Sequence, residues 1–93
     1  MTTATPERVT EEERALEPPY ALILHNDDVN SMQHVVESLL RCVPDLSHEQ
    51  AAEIMLEAHQ SGQAQVIVAP REEAARYRNC LESRGLTATI EPA

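Results

Sequence analysis

The polar residues best placed to do chemistry form one short run, His25-Asn26-Asp27-Asp28, directly behind the apolar run Ala21-Leu22-Ile23-Leu24. A further candidate, His59, follows Met55 by one helical turn, so on a helix the two share a face. Three chemistries compete for these groups. Two His and two Asp are adequate metal ligands, but their spacing matches no His-x-x-x-His or Cys-x-x-Cys signature, and His34 and His48 are predicted on other faces. His and Asp could also activate a nucleophile. Yet Ser31, Ser38, Ser47, Ser61 and Ser83 lack a nucleophile-elbow context, and neither Cys has an evident His partner. The third reading is structural, since Asn and Asp behind a strand make turns and an isolated His on an amphipathic helix is most often a satisfied, half-buried residue. On the residues alone the three stay open.

The elements that must position these groups are written in the periodicity. Residues 20–25 alternate as a strand, with Tyr20, Leu22 and Leu24 on one face and Ala21, Ile23 and His25 on the other. After the Asn-Asp-Asp loop, Met32, Val35, Val36, Leu39, Leu40 and Val43 recur at helical spacing and predict an amphipathic helix over 31–43, broken by Pro44-Asp45. A second helix starts at the N-cap Ser47, with Gln50 at the capping-box position and Leu46 placed to staple onto Ala51. Ala51, Ile54, Met55, Ala58 and His59 mark its apolar side, and Gly62 suits a left-handed C-terminal position. Residues 65–69 read as a second strand, β-branched and expected at the centre of the sheet. Pro70 opens a third helix with Glu72 and Glu73 near its N-terminus and Ala74, Tyr77 and Leu81 facing inward; it ends at Arg84-Gly85. Residues 86–90 alternate as a third strand. The fold class is therefore α/β, of the two-layer α+β kind, with strands on one side and helices on the other.

Composition narrows the function classes. A chain of 93 residues makes one small domain. It carries 16 acidic and 7 basic residues, all of the latter Arg, for a net charge of −9. Such a surface repels phosphate, so nucleic acid and anionic membranes are poor partners. Phe and Trp are absent and Tyr20 and Tyr77 are the only aromatics, which leaves no platform for stacking bases. The longest apolar run is far short of the ~20 residues that cross a bilayer. Residues 1–18, rich in Thr, Ala, Pro and Glu, read as a disordered tail, with at most a transient helix over 9–16 capped by Thr10 and Glu13; the folded domain spans 19–93. The start, MTTATPERVTEEER, lacks the cationic and apolar regions of a signal peptide, so the expected location is the cytoplasm. In that compartment Cys42 and Cys80 are expected as buried thiols rather than a disulfide.

From Tyr20 onward the sequence resembles the ClpS family, adaptors of bacterial Clp proteases. The residues that carry the likeness are Ile23-Leu-His-Asn-Asp-Asp28, then Met32 and Val35-Val36, then Ile54-Met-Leu56 with His59 and Gly62, and finally Gly85-Leu86 with Thr89-Ile90-Glu91. The resemblance implies a three-stranded antiparallel sheet packed against three helices in the order β-α-α-β-α-β, a fold similar to the C-terminal domain of the ribosomal stalk protein. It implies an adaptor and not an enzyme, with no cofactor and no metal. Such an adaptor binds proteins whose first residue is Leu, Phe, Tyr or Trp (N-degrons) and passes them to a Hsp100 unfoldase, ClpA or ClpC.

Carried over residue by residue, the resemblance places Asn26, Asp27 and His59 around the substrate's α-amino group and Met32, Val35, Met55 and Leu86 in the side-chain pocket. Asp28 and Asn30 fall near the substrate backbone, and Arg71, Glu72 and Ala75 fall on the face that docks on the unfoldase's N-terminal domain. The expected state is a monomer, with residues 1–18 as the arm that engages the unfoldase. Val29 and Asn30-Ser31 depart from the family pattern, in which an aromatic or Pro and a Thr or Ser followed by Pro are common. The departure implies a narrower set of accepted first residues. The runner-up reading is a module that docks on the unfoldase and modulates it with narrowed or no N-degron binding.

Overall fold

The structure, a computed structural model, describes residues 18–93. The expected tail over 1–18, with its transient helix, lies outside the described residues apart from Pro18. The elements run β1 (Pro19–His25), α1 (Met32–Cys42), α2 (His48–Ser61), β2 (Gln63–Pro70), α3 (Arg71–Ser83) and β3 (Thr87–Pro92). This is the anticipated order, and both strand pairs are antiparallel.

The sheet order is β2-β1-β3, so β1 and not β2 is central. The β-branched run 66–68 suggested otherwise, but β1 is the strand that is buried on both faces. Leu22 and Leu24 join the core under the helices. Ala21 and Ile23, on the opposite face, are covered by their cross-strand neighbours Val68 and Glu91, and Gln65 and Thr89. In β2 the register shifts between Leu22↔Ile67 and Ile23↔Gln65, leaving Val66 as the extra residue of a bulge. The bulge resets the alternation: Ala64, Val66 and then Ala69 face inward, and Val68 is left 44% exposed.

The core is aliphatic, built from Leu22 and Leu24 of β1, Leu39 of α1, Val43 behind it, Ala51 and Ala58 of α2, Leu81 of α3 and Leu86 before β3. Small Ala residues on α2 let that helix sit close to the sheet without aromatic filler. Local signals set the helix ends as read. Ser47 and Gln50 form a reciprocal capping box, and Gly62 closes α2 at φ +92, where a Cβ would be strained. Cys42 and Cys80 form a disulfide. This overturns the expectation of two free thiols. Their positions in the apolar packing of α1 and α3 bring the Cα atoms to 5.6 Å, inside the range a disulfide spans.

Candidate functional site

The loop behind β1 folds around one carboxylate. Oδ1 of Asp27 accepts hydrogen bonds from the backbone N–H of Val29 and of Asn30, both at 2.8 Å, a tight Asx-type turn. The Asn30 side-chain amide closes the turn, donating to Asp27 Oδ1 at 3.2 Å and Oδ2 at 3.0 Å. With its other hydrogen the same amide donates to the backbone oxygen of Gly85 at 2.9 Å. The Asn30 N–H above all holds the Asp27 carboxyl below its ordinary value; partial burial opposes this, and the Asn30 amide, the Val29 N–H and the His34 charge reinforce it. Asp27 is therefore an anion at neutral pH. Oδ1 is saturated by donors, whereas Oδ2 keeps an open acceptor site.

Two further ties fix the surroundings. Asn26 N–H donates to Gly62 O at 3.0 Å, which pins the loop against the end of α2 and sets Asn26 close to His59. Ser31 caps α1, accepting from His34 N–H at 3.1 Å. Among the described residues the side chains of Asn26 and His59 have no hydrogen-bond partner within the protein, and both are exposed. His25, by contrast, is paired with Thr89 Oγ1 at 2.8 Å.

Below these groups opens a pocket of about 290 Å³ lined by the end of β1, the loop, and the facing sides of α1 and α2. Its walls are Met32 and Val35 of α1, Met55 and Ala58 of α2, Leu24 of β1 and Leu86. Its rim is Asn26, Asp27, Asp28, Asn30 and His59. The volume lies at the low end of small-molecule clefts, room for one large side chain and not for a folded peptide. The apolar stripe of α1 divides along its length: Leu39 fills the core, while Met32, 47% exposed, is left as pocket wall.

The structure thus brings Asn26, Asp27, Asp28, Asn30, Met32, Val35, Met55, His59 and Leu86 around one cavity. Arg71, Glu72 and Ala75 are elsewhere. They sit at the start of α3, beside the first residues of β1, where the Arg71 guanidinium lies 5.7 Å over the Tyr20 ring. The pocket is at the opposite end of β1. His59 was read onto the apolar side of α2; it stands exposed at the pocket rim instead, because Ala58 takes the buried position. Leu24, Ala58 and Ser31 are pocket residues that motif reasoning passed over. Ala58 was within reach, three residues after Met55 and so on the same helical face.

The other chemistries find little here. No three His, Cys, Asp or Glu gather to hold a metal ion among the described residues. Ser31, the serine at the pocket, has its hydroxyl engaged as the cap of α1. Among the described residues no helix is long and apolar enough to cross a membrane.

Comparisons with known proteins agree in one direction. The family model for the ATP-dependent Clp protease adaptor protein ClpS matches residues 15–89. A Clp protease adapter protein ClpS of Synechococcus sp. (strain CC9902) is 48% identical over 87 residues, covering 94% of this chain and 80% of the relative. The ClpS of Gloeobacter violaceus is 41% identical over 92 residues, covering 99% and 98%. Among solved structures, Agrobacterium tumefaciens ClpS2 bound to L-phenylalaninamide matches with a TM-score of 0.77 at 27% identity, over 82% of this chain and 98% of that one. The chain belongs to the ClpS family, and its place beside the ATP-dependent Clp protease is that of an adaptor and not of a catalyst.

Proposed function

We propose that this adaptor binds the free amino terminus of proteins whose first residue is Leu, Phe, Tyr or Trp and delivers them to a Clp unfoldase. One observation carries the reading: an anionic, half-open carboxylate, Asp27 Oδ2, stands at the mouth of an apolar pocket sized for a single side chain. A first residue is the one place in a polypeptide where an ammonium and a side chain leave the same carbon. Asp27 accepts from the ammonium with charge assistance, Asn26 accepts through its amide oxygen, and His59 accepts through a ring nitrogen or bridges through water. Met32, Val35, Met55 and Leu86 receive the side chain; methionine adapts to branched and flat shapes alike. Asn30 acts on the loop more than on the substrate, since both of its amide hydrogens are already engaged.

Neither half suffices. Burying one large side chain is worth ~1.5–3 kcal/mol, and a hydrogen bond to a charged group adds roughly 1.5–3 kcal/mol. Set against association costs, their sum supports low-micromolar binding and either alone does not. The acidic surface attracts the ammonium and speeds encounter.

The partner is the N-terminal domain of ClpA or ClpC, docked through Arg71, Glu72 and Ala75. That face lies at the far end of β1 from the pocket, so substrate and unfoldase can bind at once. The adaptor works as a cytoplasmic monomer, with residues 19–93 as the recognition domain and 1–18 as the arm toward the unfoldase. Titrating the domain with a peptide that starts with Leu or Phe, and with its N-acetylated twin, tests the reading. The free peptide binds and the acetylated one does not; equal binding of both sinks it. Repeating the titration with the unfoldase domain present separates delivery from docking without first-residue recognition.

A further inference from the structure

Three polar side chains are packed together where the apolar stripe of α1 meets the end of α3. Ser38 is fully buried, at 0% exposure, and His34 and Arg84 are partly buried. His34 Nε2 lies 2.8 Å from the backbone oxygen of Arg84. A carbonyl has no proton to give, so Nε2 carries the hydrogen and donates it. Arg84 Nε donates to Ser38 Oγ at 2.8 Å, and that hydroxyl lies 3.4 Å from His34 Nε2. No buried side-chain N or O among the described residues is without a partner.

The carbonyl that His34 holds belongs to the turn from α3 into β3. The next carbonyl, Gly85 O, is held by the Asn30 amide at 2.9 Å. The residue after that is Leu86, whose side chain is 4% exposed and forms a wall of the pocket. Two consecutive carbonyls are thus anchored from α1 and from the Asp27 loop immediately before the residue that shapes the cavity. The fold of the turn does not need these anchors. Arg84 N–H and Leu86 N–H both donate to Leu81 O and Gly85 N–H donates to Glu82 O, and Gly85 supplies the φ of +88. Removing the His34 donor therefore leaves the turn formed and frees its position against α1.

We propose that His34 is a positioning residue for specificity: its hydrogen bond to Arg84 O, braced by the Arg84–Ser38 bond, sets how far Leu86 projects into the pocket and so which first side chains fit. The inference rests on the first-residue reading above. It locates part of the pocket's selectivity in residues that do not line it. Packed interiors transmit small displacements because they hold few voids, and a pocket wall moved by less than a methyl group alters the fit of Leu and of a flat ring unequally.

The test compares the full chain with His34→Leu, which removes the donor, and His34→Gln, which keeps an N–H in reach. Peptides identical after a first residue of Leu, Phe, Tyr or Trp are titrated by fluorescence anisotropy. His34→Leu changes the Leu-to-Phe affinity ratio by at least about fivefold, a fraction of what one methylene can decide, and His34→Gln restores it to within about twofold. A merely structural role scales all four affinities together; that result, or an unchanged ratio, overturns the inference while leaving first-residue recognition in place. If the wild-type protein binds none of the peptides, the recognition reading falls and this inference with it. Should His34→Leu fail to fold, Ser38→Ala loosens Arg84 from the same side and shifts the ratio in the same direction; an unchanged ratio there overturns the inference equally.

Discussion

Helices α1 and α3 are joined at two places, about one helical turn apart along α3 and one to two turns apart along α1, and the joints are of different kinds. At one, Cys42 at the end of α1 is bonded to Cys80 of α3. At the other, Ser38 and His34 of α1 hold the side chain and backbone oxygen of Arg84, which caps α3. A covalent crosslink acts chiefly by restricting the unfolded chain and is tolerant of small local displacements. The hydrogen-bonded joint exists only in the folded state, and its donors must point at their acceptors. The contrast teaches that stability and ligand geometry are assigned to neighbouring joints in the same helix pair. The joint nearer the pocket is the directional one.

The largest effect that can break this division is removal of the crosslink. Closing a loop with a sequence separation of 38 restricts the unfolded chain by about 4 kcal/mol in the chain-entropy account. Cys42→Ala with Cys80→Ala, or reduction, lowers the urea midpoint accordingly, while the affinity of the folded protein for a Leu-initiated peptide stays within twofold of its starting value. Affinity falling together with stability shows that the two joints are not separable. Next in size is Asp27→Asn. The new side chain keeps an oxygen for the Val29 and Asn30 N–H groups but replaces Oδ2 with a donor that faces both the substrate ammonium and the Asn30 amide, which keeps its bonds to Oδ1 and to Gly85 O. Peptide affinity drops by about 2–3 kcal/mol, roughly 30- to 150-fold, with little change in the unfolding midpoint. Equal losses in binding and in midpoint place Asp27 in the fold and not in recognition.

How much of this was legible from sequence follows the reach of each signal. Local signals read true: Ser47 and Gln50 announced the capping box, Gly62 the left-handed C-cap, and the alternation around Leu22 and Leu24 the first strand. The fold class followed from their order. Signals depending on distant partners did not read. The bulge at Val66 comes from pairing with β1, so strict alternation gave no warning that Val68 would turn outward. The Cys42–Cys80 bond spans two helices, and no spacing rule encodes it. Ser38 entered only as one of five serines without a nucleophile-elbow context, because its partner Arg84 is 46 positions away. At the site, the loop and its carboxylate could be named from the run His25-Asn26-Asp27-Asp28, whereas the link from Asn30 to Gly85 could not.

The two helix caps offer a matched pair of smaller perturbations. Ser31 and Ser47 each accept a backbone N–H three residues on, but only Ser31 also lines the pocket. Replacing either by Ala costs about 1 kcal/mol of stability, read as similar shifts in thermal midpoint. Ser31→Ala additionally weakens peptide binding by several-fold, since fraying the first turn of α1 displaces Met32, whereas Ser47→Ala leaves binding unchanged. Identical binding by both variants places the pocket wall under no control from the α1 cap.

The smallest expected effect is also the most specific to the site loop. Asp27 has its carboxyl held below the ordinary value of 3.8. For an acid whose folded value is depressed, the stabilisation is fully present above the unfolded value and is lost as pH falls through the folded one. The stability difference between wild type and Asp27→Asn is therefore constant from neutral pH down to about pH 4 and narrows below it. The carboxylate is largely open to solvent at Oδ2, which screens the interaction and keeps the change slight. Equilibrium unfolding of both proteins across that range reads the difference directly. A gap that widens in acid contradicts the hydrogen bonds from Asn30 and Val29 as the source of the shift. A gap closing below pH 4 ties the Asx turn's stability to the same charge proposed to hold the substrate's amino terminus, so the loop that shapes the site and the group that binds in it depend on one ionisation.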